Sequence, residues 1–257
     1  MIDPRAIVDP RAELGEGVEV GPFAMVGPHV KVGAGTTIGA HALVEGHTTL
    51  GAGCRVFPFA SVGTTPQDLK YKGEETHLVI GERTIVREYA SLNVGTIGGG
   101  GTTRIGSDCL LMAYTHVGHD CSLGDLVILA NAATLAGHVT IQEWAGIGGL
   151  TAVHQFVRIG EHAYVGGCSA VTMDVPPYLS AAGNRAKLYG LNQVGLRRRG
   201  FSEDSLKALR RAYRAVFRST GTLSSCLAAV RETPDYARPE VRKFIEFMAD
   251  SERGVTR

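Results

Sequence analysis

Aromatic residues make up only 7% of the 257-residue chain, with a single tryptophan, so the core cannot rest on large rings. No run approaches the ~20 apolar residues of a membrane-spanning helix. The best candidate, residues 127–137, is interrupted by Asn131 and Thr134, and no membrane span is expected. The N-terminal MIDPRAIVDP has acids and prolines where a secretory signal has a basic and then an apolar region, so the expected location is cytoplasmic. The five cysteines, at 54, 109, 121, 168 and 226, are odd in number and include no Cys-x-x-Cys pair, which argues against a disulfide framework or zinc ribbon. They read as small buried or surface thiols. A composition 44% hydrophobic and 20% charged excludes disorder and collagen.

Glycine is abundant instead, at 34 residues or about 13% against a usual share of roughly 7%, and points to many tight turns. The net charge of +1 hides an asymmetry: residues 1–194 hold 12 Lys+Arg against 17 Asp+Glu, and residues 195–257 hold 14 against 8. A basic C-terminal segment suits a phosphorylated ligand or an acidic protein partner, with a solvated basic helix face as the plain alternative. No nucleic-acid partner is expected.

An aliphatic residue recurs every six positions. The series runs from Ile2, Val8 and Leu14 through Val56 and Val62, resumes in phase at Ile80, Val86 and Leu92, slips by one residue, and continues from Ile105 and Leu111 to Val165 and Val171. All 26 positions are Ile, Leu or Val, and 14 are followed directly by glycine. A period of six fits neither a helix nor a long alternating strand. It suits a β-solenoid in which each hexad is one short strand and one corner, with the aliphatic residue inward and the glycine relieving the turn. Such hexads resemble those of the left-handed parallel β-helix, a triangular prism of three hexads per coil. The handedness comes from that resemblance, not from the spacing. Successive coils should lie ~4.8 Å apart.

Two interruptions are expected to leave the prism as loops. Residues 64–77, TTPQDLKYKGEETH, put Asp68 and Glu74 at would-be inward positions, and residues 96–103, TIGGGGTT, are glycine-rich. The glycine-rich stretch resembles a phosphate cradle but lacks the Gly-Lys-Ser/Thr ending of a P-loop and precedes no helix. After Val175-Pro176-Pro177 the hexads stop. Ser202 reads as the N-cap of a helix carrying Leu206, Leu209, Tyr213, Val216 and Phe217 and ending at Gly221. A second helix is expected around Leu223–Arg231 and a third from Pro239. The expected architecture is a mainly β domain over residues 1–190 and a small C-terminal α-helical domain over residues 191–257.

A filled solenoid has no interior cavity, so a site must lie on an outer face or between chains. Of nine histidines, His116, His119, His138 and His154 fall in one third of the prism, none at an inward position. One coil beyond His119 comes Gly137 and two coils beyond comes Gln155, while one coil beyond Asp120 comes His138. These residues should form one vertical patch. Exposed histidines on a polar face are the plain reading of it. Zinc is another, as in the carbonic-anhydrase relatives of this fold, but His116 and His119 are three apart and not at that family's spacing, so no metal is expected. The third is acyl transfer. A neutral imidazole removes a proton from an acceptor, Asp120 orients it, and a backbone N–H meets the developing oxyanion. No serine-nucleophile motif is present, which favours direct attack by the acceptor without a covalent enzyme intermediate.

The strings Pro66-Gln67-Asp68-Leu69-Lys70-Tyr71, Gly118-His119-Asp120-Cys121, Ala136-Gly137-His138-Val139, Val153-His154-Gln155-Phe156, Gly166-Gly167-Cys168-Ser169 and Arg198-Arg199-Gly200-Phe201, in this order and with a helical tail, resemble the acyl-carrier-protein:UDP-N-acetylglucosamine O-acyltransferase family. The similarity runs from Met1 to Arg257. It implies a homotrimer with active sites between subunits, no cofactor, and two substrates, UDP-N-acetylglucosamine and a 3-hydroxyacyl-[acyl carrier protein]. His119 would be the general base, Asp120 its support, and the Gly137 N–H the oxyanion donor. Asp68, Lys70, His116, His138 and His154 would contact acceptor and acyl substrate, and Gln155, Asn192, Arg198 and Arg199 the nucleotide and phosphates. Gly167 matches the position that sets acyl length, and a glycine there implies a longer chain. Arg185 stands where the family has a histidine in one form, and Asn93-Val94-Gly95-Thr96 replaces His-Arg-Gly-Thr. Rival readings are a same-fold N-acyltransferase acting on a 3-amino sugar nucleotide, a coenzyme-A-dependent acetyltransferase, the zinc enzyme, and a non-catalytic solenoid.

Overall fold

The short strands follow from the hexads. In Glu19–Val20, Met25–Val26 and Lys31–Val32 the first residue faces solvent and the second is buried, a half-buried strand cut to its minimum. In the computed structural model, which describes residues 1–257, these strands form three sheets of nine, eight and ten strands, each built from every third strand in the chain apart from the two that close the third sheet. Paired residues are 18 apart, as in Ile7 with Met25 and Val8 with Val26. Three parallel sheets entered in the same order on every turn make a prism of triangular section. Its axis is filled by a cluster of 42 buried residues, among them Val44, Leu78, Leu111, Leu129 and Leu135. Ile2, with no coil beneath it, is 49% exposed.

The glycine after each aliphatic residue does not make the turn. The turn falls two residues later, at a residue in the left-handed conformation that is glycine at Gly17, Gly35 and Gly53 but at most corners is not, as at Phe23 (φ 59°), His41 (φ 59°), Tyr114 (φ 63°) and Asp120 (φ 60°). Such a residue costs about 1–2 kcal/mol. Along one edge Phe23, His41, Phe59, Tyr89 and Tyr114 stack with centroids 4.9 to 5.2 Å apart, and ring pairs of this kind return about 0.5–1.5 kcal/mol each. The glycines answer to crowding between coils. A Cβ on Gly33 would lie 2.5 Å from the Ala52 nitrogen, and one on Gly51 would lie 2.6 Å from the Glu82 nitrogen.

Both interruptions are extruded while register is kept. Val62 pairs with Leu92 and Leu92 with Val117, separations of 30 and 25 residues in place of 18. The flanking strands take in Thr64, His77, Thr102 and Thr103, so the excursions span residues 65–76 and 94–101.

The prism ends in an antiparallel pair not foreseen from the sequence, Leu179–Ala182 with Lys187–Leu191. Four helices follow: α1 (Gln193–Arg198), α2 (Glu203–Phe217), α3 (Leu223–Arg231) and α4 (Pro239–Ala249). Ser202 caps α2, its hydroxyl accepting from Ser205 N at 3.1 Å. The helix stops at Phe217, short of the expected Gly221, where the Ser219 hydroxyl takes the Ala215 carbonyl and competes with the helical bond. A second cluster of 17 buried residues joins the helices to Tyr178 and Leu179 of the last coil. Lys243 Nζ on Glu161 at 2.7 Å and Arg158 over the Phe247 ring at 4.3 Å fasten α4 to the prism. No helix is long and apolar enough to cross a membrane.

Because each coil is filled by one aliphatic residue per face, Leu129→Ala should destabilise the protein by about 2–5 kcal/mol. Met25→Ala, on the outward side of its strand, should stay within about 0.5 kcal/mol. Urea unfolding followed by circular dichroism checks both.

Candidate active site

The edge between the first and second sheets carries the histidine patch. His119 and Asp120 lie between strands His116–Val117 and Ser122–Leu123, which belong to different sheets. The next coils repeat this corner directly above: His138 N donates to His119 O at 2.9 Å and Phe156 N to Gly137 O at 3.3 Å. One column therefore holds His119, Gly137 and Gln155, and its neighbour holds Asp120, His138 and Phe156.

The Asp120 carboxylate is fully buried and accepts three hydrogen bonds. They come from His119 Nδ1 at 2.7 Å, Thr96 Oγ1 at 2.6 Å and Thr96 N at 2.8 Å. Its own N–H donates to Thr103 Oγ1 at 2.8 Å. Burial pushes this carboxyl up, but the Thr96 hydroxyl, His119 and the Thr96 amide outweigh it and hold the group below its ordinary range. Asp120 is therefore an acceptor at neutral pH. That fixes the His119 proton on Nδ1 and leaves Nε2 with a lone pair, on a side chain 17% exposed.

The glycine-rich loop is explained by the same carboxylate. A side chain on Gly99 would overlap the Asp120 carboxyl group. The apparent phosphate cradle closes on an anion of the chain itself. Thr96 and Gly99 escaped sequence reasoning because nothing local marks a loop for a carboxylate 24 residues further on.

Gly137 gives the imidazole its room: a Cβ there would lie 2.6 Å from His119 Cε1 and Nε2. Its N–H makes no hydrogen bond within the chain. His138 stands edge-on to His119, with centroids 5.0 Å apart, and stacks on Phe156 at 4.4 Å. Burial lowers its pKa, opposed by Asp120 and by Asp68. Asp68 lies on the first loop, its Oδ1 accepting from the N–H of exposed Lys70 at 2.9 Å. His116 Nδ1 lies 2.8 Å from Ser91 Oγ, and burial, with His119 nearby, pushes its pKa down. His154 is exposed next to Gln155, its Nδ1 3.1 Å from Arg253 Nη2. Asn93 is buried and fastens the first loop at its base, donating to Thr64 Oγ1 at 2.9 Å and Thr65 O at 3.0 Å.

The remaining expected residues are not brought to this edge within one chain. Asn192, Arg198 and Arg199 line a cavity of about 630 Å³ against Ile128, Gly146 and Tyr164. Those three belong to the third sheet, the face opposite the histidine edge. Asn192 caps α1, accepting from Gly195 N at 3.2 Å and donating to His162 O at 3.0 Å. Arg199 covers the Trp144 ring at 5.0 Å and lies 3.3 Å from His162 Nδ1. Arg198 makes no ion pair and faces the cavity. Gly167 sits beside Cys168 at the corner between the third and first sheets, and Arg185 is exposed in the terminal hairpin turn. His119, Asp120 and His138 offer three ligand atoms within 4.8 Å of one another, but a metal ion there would have to break the His119–Asp120 hydrogen bond.

A repeat-built prism with a carboxylate-oriented imidazole and a free N–H on its edge defines a hexapeptide-repeat transferase, and the family model described as bacterial transferase hexapeptide (six repeats) matches residues 11–46 and 102–137. Another model, described as Udp N-acetylglucosamine O-acyltransferase, Domain 2, matches residues 174–256. The acyl-[acyl-carrier-protein]–UDP-N-acetylglucosamine O-acyltransferase of Janthinobacterium sp. (strain Marseille) is 50% identical, covering 100% of this chain and 99% of the relative. That of Burkholderia lata is 51% identical over the same shares. Among solved structures, the UDP-N-acetylglucosamine acyltransferase from Campylobacter jejuni aligns with a TM-score of 0.95 at 40% identity, covering 100% of this chain and 99% of that one. The Francisella novicida enzyme aligns at 0.96 and 32% identity, covering 100% and 94%. The chain belongs to the acyl-[acyl-carrier-protein]–UDP-N-acetylglucosamine O-acyltransferase family, and its prism is the left-handed parallel β-helix.

Asp120 is held below its unfolded value of ~3.9, so its contribution to stability is present above that pH and is lost as pH falls through the folded value. Thr96→Val removes one donor and should raise the Asp120 pKa, costing about 1–3 kcal/mol at neutral pH. The difference from the unaltered protein should shrink between neutral pH and an acid pH below the folded value, where both folded and unfolded carboxyls are protonated. Urea unfolding at the two pH values tests this, and an equal loss at both would mean that the hydroxyl does not act through the charge.

Proposed function

We propose that the protein transfers a 3-hydroxyacyl chain from acyl carrier protein to the 3-hydroxyl of UDP-N-acetylglucosamine, the first step of lipid A biosynthesis, in the cytoplasm and as a homotrimer. The observation that carries this reading is the His119 imidazole, oriented by buried Asp120 and seated against Gly137, whose N–H has no partner. His119 Nε2 takes the proton of the sugar hydroxyl as the oxygen attacks the thioester carbonyl. The Gly137 N–H donates to the oxyanion, and Asp120 stabilises the imidazolium. The tetrahedral intermediate then collapses, the C–S bond breaks, and the proton passes from His119 to the departing thiolate.

Asp68 and Lys70 on the first loop, with His116, His138, His154 and Gln155, would hold the acceptor and acyl chain around this edge. Arg198, unpaired in the cavity on the opposite face, would bind the nucleotide phosphates for the neighbouring subunit's His119. Asn192 and Arg199 would act by building that cavity. Gly167, without a side chain, would leave the acyl path open. Two parts of one site on opposite sides of a prism can meet only between copies of the chain, which is the support for the trimer.

The direct experiment gives purified protein UDP-N-acetylglucosamine and a series of 3-hydroxyacyl carrier proteins and follows products by mass spectrometry. A 3-O-acylated sugar nucleotide is expected, with His119→Ala reducing kcat by about 100- to 10,000-fold while the protein stays folded. Product only with the 3-amino analogue would keep the mechanism and change the acceptor. Product with neither would sink the reading.

Subunit sharing has its own test. His119→Ala and Arg198→Ala, each impaired alone, should regain about one quarter of the wild-type sites when unfolded and refolded together in equal amounts. No recovery would place both residues' functions within single chains.

A further inference from the structure

Further down the same edge lies another histidine cluster that the acyl-transfer reading does not use. His47 opens strand His47–Leu50 and His77 opens strand His77–Ile80, and the two are Cα partners in adjacent coils. Glu75 arrives at the returning end of the first loop, two residues before His77. Thr76 between them is buried, so Glu75 and His77 face outward together. Glu75 Oε1 lies 3.8 Å from His47 Nδ1 and 3.9 Å from His77 Nε2. The three ligand atoms all lie within 4.8 Å of one another.

These separations are too long for hydrogen bonds. They are close to the spacing of ligands around one small ion: bonds of about 2.0–2.2 Å in tetrahedral geometry put neighbouring ligand atoms roughly 3.3–3.6 Å apart. The donor set, two imidazole nitrogens and one carboxylate oxygen, is the one zinc takes when a fourth position is left to water. His29 stacks flat on His47, with centroids 4.3 Å apart and planes 7° apart, and so restricts how that imidazole can turn. The His119–Asp120–His138 group differs in being closed by a hydrogen bond of 2.7 Å.

We propose that His47, Glu75 and His77 form a site for a divalent transition metal, zinc first, separate from the acyl-transfer residues. Its ligands come from two adjacent coils and from the end of the 65–76 loop. An ion held there fastens that loop to the prism, and the same loop carries Asp68 and Lys70. The metal site itself stands whether or not the acyl-transfer reading does.

The test uses the full-length protein, stripped with a chelator, dialysed and titrated with cobalt(II) and then zinc(II). One cobalt per chain is expected, with visible absorption of a low-coordinate site that zinc abolishes. Amides of residues 65–76 should exchange hydrogen more slowly with zinc than without it. Glu75→Gln and His47→Ala should each weaken binding by at least about tenfold, while His119→Ala should bind as the unaltered protein does. Glu75 is largely exposed, so its variant tests the site even if His47→Ala fails to fold. The absence of stoichiometric binding would overturn the proposal, as would binding that survives Glu75→Gln or disappears with His119→Ala.

Discussion

The hydrogen bonds that set each residue beside the one 18 positions further on are the constraint on which the rest of the molecule depends. They turn distance along the chain into height along an edge, so His119, Gly137 and Gln155 become a column although no local motif links them. Within each short strand side chains alternate in and out, and a slip of one residue would turn the aliphatic residues to solvent and carry their outward neighbours, such as His116, into the core. The filling of every coil by Ile, Leu or Val makes that slip prohibitively costly. The geometry of that column is here a by-product of core packing.

A further dependence runs through one carboxylate. Asp120 turns the corner in a left-handed conformation, is buried, and accepts bonds from a histidine, a hydroxyl and an amide. A buried charge is tolerable only when so surrounded. The 94–101 excursion supplies two of the three donors. Gly99 leaves space for the carboxylate where any side chain would collide with it. That loop is best understood as part of the histidine's support and not as a binding element in its own right.

The fold was legible because its rule is periodic: the hexads, both interruptions and the column of His119, Gly137 and Gln155 follow from counting. Corner chemistry was not. The glycines that follow the aliphatic residues suggested turns, yet they answer to the neighbouring coil, and the true turn residues, Phe23, His41, Gly53 and Asp120 among them, have no common side-chain type. Thr96 and Gly99 were hidden because their partner lies in another coil. Helix α1 and the hairpin before it lack a long apolar stripe, so no period announces them. Ser202, as a capping residue, did carry a local signal, and α2 starts directly after it. Histidine placement pointed to the edge where His119 and Asp120 meet, but Arg198 could be linked with it only through family resemblance, because its place on the opposite face depends on how the tail folds back.

The register also governs how this chain can change length. Adding or deleting a whole coil shifts everything beyond it along the axis and leaves every side chain on its original face. Adding a single hexad within the stacked strands would rotate all later residues by one third of a turn against the earlier ones; placed between His77 and His116, it would part His119 from the edge that His47 and His77 occupy beneath it. The two natural excursions avoid this by leaving the shaft and rejoining it in register. Loop growth at those two places and lengthening by whole coils are therefore the changes of size open to the lineage that keep its chemistry aligned.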